Sequence, residues 1–91
     1  MTNDLAIPTV HINGTSQKEL SDGLEKALNK IDEAILALRD AWPHGRDYHP
    51  RGPDAYGRAN DQWKWRLQQL SRVRNELETI IAGVMDAVNA K

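Results

Sequence analysis

The stretch SQKELSDGLEKALNKIDEAILALRDAWP, residues 16–43, decides the fold. It opens on Ser16-Gln17-Lys18-Glu19, a capping box in which the Ser hydroxyl and the Glu carboxylate each satisfy an orphan amide at a helix start. Leu20, Leu24, Leu28, Ile31, Ile35, Leu38 and Trp42 then recur at spacings of four and three, the stripe of a helix lying lengthwise on a partner. Pro43 stops it: the residue before a proline is pushed out of the α region, so the helix is expected to close at about Ala41. Gly23 costs this helix roughly 1 kcal/mol relative to Ala, which leaves a restart at Ser21 open.

Outward toward the amino terminus, Ile7-Pro8-Thr9 and Val10-His11-Ile12-Asn13-Gly14 predict an extended arm over 1–15 that ends in a turn. In the other direction, the connection over 42–52 is too long for a tight turn, and its prolines make it an ordered, shaped loop; loops of this length in compact domains are often functional. Gly52-Pro53-Asp54 reads as a helix start with Pro at the first helical position and an acid in the positive first turn. Tyr56, Ala59, Trp63, Leu67, Leu70, Val73, Leu77, Ile80, Ile81, Val84 and Val88 carry the second helix, 53–89, over roughly 50–55 Å against about 39 Å for the helix over 16–41. Its apolar face is wider than one seam needs. The expected fold is all-α: one domain over 1–91, a long antiparallel helical hairpin with an extended N-terminal arm, assembling into a homo-oligomeric helical bundle, because a lone pair of helices this small leaves apolar surface wet.

Composition limits the function. The chain has 91 residues, no cysteine and a net charge of -1. Disulfide scaffolds, thiolate metal sites and thiol nucleophiles are excluded. A near-neutral chain has no general affinity for nucleic acid or for anionic membrane. No apolar run approaches the roughly 18 residues of a membrane span, and Met1-Thr2-Asn3-Asp4 lacks the basic-then-apolar pattern of a signal peptide, so the expected location is the cytoplasm.

All five aromatics, Trp42, Tyr48, Tyr56, Trp63 and Trp65, fall between residues 42 and 65, with three of the four prolines and three of the six glycines. Through Arg66 this tip carries Arg46, Arg51, Arg58, Lys64 and Arg66 against Asp47, Asp54 and Asp61, a local charge of +2 in an otherwise acidic chain. Arg forks bind phosphate through paired hydrogen bonds, and flat rings give a base a surface to stack on. Arg46, Tyr48, Arg51, Tyr56 and Trp42 are therefore the candidate ligand-binding residues; the same rings would equally plug the end of the hairpin, with Arg–Asp pairs tying the loop. His11, Asn13 and Thr15 form a second polar cluster on the arm. It sits at the opposite end of one hairpin, but an antiparallel oligomer brings one subunit's tip to another's arm.

Other chemistry finds little footing. His44, Asp47 and His49 match no common zinc spacing and lack further ligands nearby, so no metal or cofactor is expected. Ser16 is committed to capping, no glycine elbow presents a hydroxyl, and no phosphate loop or dinucleotide fingerprint occurs, so the chain is expected not to be an enzyme. Asp22 with Lys26, Asp54 with Arg58, Arg72 with Glu76 and Arg74 with Glu78 read as ordinary solvated four-residue pairs.

The chain resembles a family of small bacteriophage and prophage helical proteins marked by an early His-x-Asn-Gly-Thr-Ser, here His11 to Ser16, and a later Gly-Arg-Asp-Tyr loop closed by Gly-Pro, here Gly45 to Pro53. The likeness covers most of residues 10–82 and departs from the pattern at His44 and His49, where an amide and a second Tyr are expected. It implies a phage origin but no settled activity. Small phage proteins often counter host defence, some as oligomeric helical sponges for cyclic or otherwise phosphorylated nucleotide signals. The leading expectation is thus a non-enzymatic sponge acting in the host cytoplasm. The rival is a helical interaction or structural module of phage that docks onto a host or phage protein.

Overall fold

In a computed structural model, which describes residues 5–89, the chain is all-helical, with no strand among the described residues. Helix α1 spans Gln17–Asp40, a short α2 spans Gly45–Tyr48 and runs into a 3₁₀ turn over His49–Arg51, and α3 spans Ala55–Asn89. The residues Met1-Thr2-Asn3-Asp4 lie outside the described part, as does the side chain of Val88. No helix is long and apolar enough to cross a membrane, among the described residues.

Helix α1 begins as its sequence dictates. The Ser16 hydroxyl accepts from the Glu19 N–H at 3.1 Å, and the Glu19 carboxylate accepts in return from the Ser16 N–H, closing the capping box. The helix passes through Gly23 without a restart. Its last helical residue is Asp40, with Ala41 as the C-cap.

The ordered loop expected over 42–52 is in large part helical, with residues 45–48 in α2 and 49–51 in the 3₁₀ turn. Gly52 then takes φ +111°, a left-handed conformation in which a Cβ would be strained, and the chain turns sharply there. That turn corrects the expected start of the second helix. Ala55 N–H bonds the Gly52 carbonyl and Arg58 N–H bonds the Asp54 carbonyl, so Asp54 stands at the cap position and Pro53 lies in the turn before the helix, outside its first position.

Helices α1 and α3 touch along their lengths in opposite order. Ser21 and Gln17, near the start of α1, donate to the Met85 sulfur near the end of α3; Asp32 at mid-helix pairs with Arg74; Leu38 near the end of α1 meets Trp63 near the start of α3. Arg74 also holds Glu78 at 3.0 Å, and the Asp32 hydrogen bond, with Glu78 behind it, keeps its guanidinium charged beyond even the ordinary arginine range. The seam buries little: among the described residues Ile35, Ala55 and Val84 are the buried hydrophobic side chains besides Pro43, and Val84 alone is fully enclosed.

The arm folds back onto α3. Ile7 lies over Gly83 so closely that a Cβ at Gly83 would come within 2.7 Å of the Ile7 Cγ2. Farther on, Gly14 N–H bonds the His11 carbonyl at 3.1 Å, and the His11 ring covers Gly14 where a Cβ would fall 2.6 Å from Nε2. At both glycines an added Cβ would push a neighbouring side chain aside, an effect of close approach and not of backbone conformation.

Two substitutions separate these contacts. Gly83→Ala is expected to displace the arm while leaving the helices intact, seen as faster proteolysis near Ile7 at unchanged far-ultraviolet circular dichroism. Ser16→Ala removes the cap and is expected to cost about 1 kcal/mol, read as a lower midpoint in urea.

Candidate functional site

The tip is assembled from the end of α1, α2 with its 3₁₀ turn, and the first three turns of α3. Two indoles bolt it together. Trp63 donates its Nε1–H to the Leu38 carbonyl at 2.7 Å, and Trp42 donates its Nε1–H to the Asn60 Oδ1 at 2.7 Å. Both groups are part-buried, and an amphipathic ring with its one polar atom satisfied inside the fold is a structural plug. Trp42, expected among the ligand-binding residues, is therefore occupied in joining α1 to α3. The third indole, Trp65, is 60% exposed and is the ring with a free face.

Tyr48 and Tyr56 stand with ring centroids 6.5 Å apart at a 45° tilt, within the range of favourable aromatic pairs. Two clefts open at the tip, one lined by Tyr56 and the other by Tyr48. The smaller, about 540 Å³, is lined by Gly45, Arg46, His49, Pro50, Pro53 and Tyr56 among others. The larger, about 750 Å³, takes Arg51 and Tyr48 from the loop and Arg58, Gln62, Trp63 and Arg66 from α3, with Asp47 as its one carboxylate. Arg46 and Tyr56 thus face one cleft, Tyr48 and Arg51 the other.

Three residues of the larger cleft, Arg58, Gln62 and Arg66, recur every four positions along α3 and so share one face of the helix. The Arg66 guanidinium lies 5.3 Å from the Trp63 ring centroid, within the range of a cation–π contact. The anticipated Asp54–Arg58 pair does not form. The ion pairs among the described residues are Lys18–Asp22, Lys30–Glu33, Arg72–Glu76, Arg74–Asp32 and Arg74–Glu78, so Asp22 turns to Lys18 rather than Lys26, and no arginine of the tip is neutralised by a carboxylate. Arg58 and Arg66 could have been found from sequence by their shared face with Gln62; the loop arginines drew attention because prolines surround them.

His11, Asn13 and Thr15 are exposed on the turn at the other end of the molecule, where Ile12 beside them is 96% exposed. From Arg58 to Val84, which bracket the two ends of α3, is about 39 Å at 1.5 Å per residue. Within one chain the two polar clusters do not meet. Among the described residues no group of three or more His, Asp or Glu side chains is placed to hold a metal ion.

No family model matches the chain, and no curated protein or solved structure is detectably similar to it.

The indole bolts give a direct contrast. Trp63→Phe keeps the ring but leaves the Leu38 carbonyl without its donor, an expected loss of about 1–3 kcal/mol by urea denaturation. Trp65→Phe, at an exposed position, is expected to stay within about 0.5 kcal/mol of the parent protein in the same assay.

Proposed function

We propose that this protein is a non-enzymatic, phage-encoded binder that captures a phosphorylated nucleotide signal of host defence in the larger cleft at its tip, and that it acts in the host cytoplasm as a homo-oligomeric bundle of helical hairpins. One observation carries the reading: Arg51, Arg58 and Arg66 rim a single cleft together with the Tyr48 and Trp63 rings and make no ion pair among the described residues. Unneutralised guanidinium groups suit a phosphate, whose oxygens accept two parallel N–H bonds from one fork. A volume of about 750 Å³ lies within the span of small-ligand sites. Gln62 adds amide donors and acceptors of the kind that read a base edge.

The spacing of the arginines bears on the ligand. Arg58 and Arg66 stand about 12 Å apart along the helix axis at 1.5 Å per residue, which favours a ligand with two separated phosphates, such as a cyclic dinucleotide, over one with a single phosphate. Nothing in the cleft activates a nucleophile, and sequestration needs none: it requires only that the complex form and persist.

Leu36, 60% exposed beside the Asp32–Arg74 pair, favours a second reading, in which the helices dock onto a host or phage protein. Isothermal titration with a panel of cyclic dinucleotides and mononucleotides separates the two. Saturable binding is expected for a two-phosphate ligand, weakened at least tenfold by Arg58→Ala and by Arg66→Ala, since a hydrogen bond to a charged group is worth about 1.5–3 kcal/mol. No heat across the panel would sink the nucleotide reading.

A further inference from the structure

The geometry points to an antiparallel pairing of this chain with a second copy of itself, which lays the copy's His11–Ser16 turn against the cleft of Arg51, Arg58 and Arg66. The inference rests on the proposed function only for what the cleft binds.

The exposed area leaves room for a partner. The chain exposes 6913 Å². A compact monomer of 10.3 kDa exposes about 5,400 Å² by the mass scaling of folded proteins, so the excess is about 1,500 Å². That excess is the order of area each subunit of an obligate homodimer buries, about 1,000–2,500 Å².

The face that would be covered follows from helical geometry. Asp32, Leu36 and Arg39 of α1 line one cleft with Ser71 and Arg74 of α3, which marks that side of the helix pair. At 3.6 residues per turn, Leu20, Ala27, Ile31, Ala34 and Leu38 fall on the other side of α1, a row without a charge. The matching row on α3 runs Gln62, Arg66, Gln69, Val73, Leu77 and Ile80. It begins inside the larger cleft and turns apolar beyond it, so the uncovered face is continuous with the candidate site. Leu20, Ile31, Leu38, Leu77 and Ile80 are only half-buried, and Val73 is exposed.

Charge sets the direction. A parallel pair would bring two sets of unneutralised arginines together, whereas the antiparallel pair keeps them about 39 Å apart along α3. The far end of the chain carries Glu19, Asp22, Glu25 and Asp86 against Lys18 and Lys26, the opposite sign to the tip. A two-fold axis across the apolar face therefore matches basic tip to acidic end twice, as an isologous interface must. It also accounts for Ile12, an aliphatic side chain held almost wholly in water in one chain: in the pair it reaches the Tyr48–Tyr56 rings of the other copy, while Asn13 and Thr15 bring neutral hydrogen-bonding groups to a cleft otherwise built for anions.

The absence of native cysteine makes the pairing directly testable without any ligand. Chains carrying Ile12→Cys and chains carrying Gln62→Cys are mixed and mildly oxidised. A disulfide-linked dimer is expected from the mixture and from neither variant alone, since residues 12 and 62 are at opposite ends of one chain. Light scattering of the parent protein is expected to give a multiple of the 10.3 kDa chain mass, and Val73→Glu is expected to shift it toward a single chain. A single-chain mass for the parent, the absence of a crosslinked dimer from the mixture, or crosslinking of either variant with itself when oxidised alone would overturn the pairing. Should a cyclic dinucleotide bind Val73→Glu single chains as tightly as the parent, the shared cleft is wrong. Failure of every nucleotide to bind leaves the crosslinking result standing and refutes only the proposed ligand.

Discussion

The last turn of α1 is short of hydrogen-bond donors, and the tip is built around that shortage. Pro43 has no N–H to give to the Arg39 carbonyl, so the Trp42 N–H takes it at 3.2 Å. The Leu38 carbonyl thereby loses the donor that a continuing helix would supply. Trp63 provides it from α3, so a proline in one segment fixes the position of a tryptophan twenty residues later. A buried carbonyl left without this bond would cost free energy comparable to a lost hydrogen bond, which makes the indole a condition of the fold's end geometry. Once Trp63 is in place, Arg66 stacks on it and Arg58 and Gln62 follow on the same face of α3. The candidate site is a consequence of how α1 stops.

The second constraint is the meagre core. Two helices and an arm can enclose only the seam between them, and among the described residues Val84 is the one large side chain fully enclosed. Other contacts supplement apolar burial: the Asp32–Arg74–Glu78 group, the Met85 sulfur accepting from Ser21 and Gln17, and Ile7 pressed onto Gly83. The charged group is partly solvated and contributes little by itself. So small an interior leaves the aliphatic rows of α1 and α3 only half-buried.

Much of the architecture was legible before any coordinates. Ser16 and Glu19 define a helix start through contacts three residues apart, and Pro43 defines a stop through its own ring. The apolar stripes of α1 and α3 need only helical periodicity. The clustering of every aromatic between residues 42 and 65 also located the candidate site at the tip. The residues within it were less legible. Arg46 and Arg51, five positions apart in a proline-shaped loop, line different clefts, Arg46 with Tyr56 and Arg51 with Tyr48. Trp42 is bound through its N–H to Asn60, a contact that its place in the sequence does not signal.

By itself, then, the amino-acid sequence determined what depends on near neighbours: helix limits to within two residues, the extended arm, and a basic, aromatic tip. Tertiary structure decided what depends on atoms far apart in the chain. It decided that Pro53 lies in a turn before α3, because Gly52 bends the backbone there. It decided that a side chain at Gly14 or Gly83 would displace a neighbour, because the His11 ring and Ile7 occupy that space. It also set Arg51 against Arg58 and Arg66, since a loop and a helix face share a cleft only after Trp63 has joined α1 to α3. Local rules act through bonds a few residues long, whereas a cleft is defined by packing between segments whose distance in sequence carries no information about their distance in space.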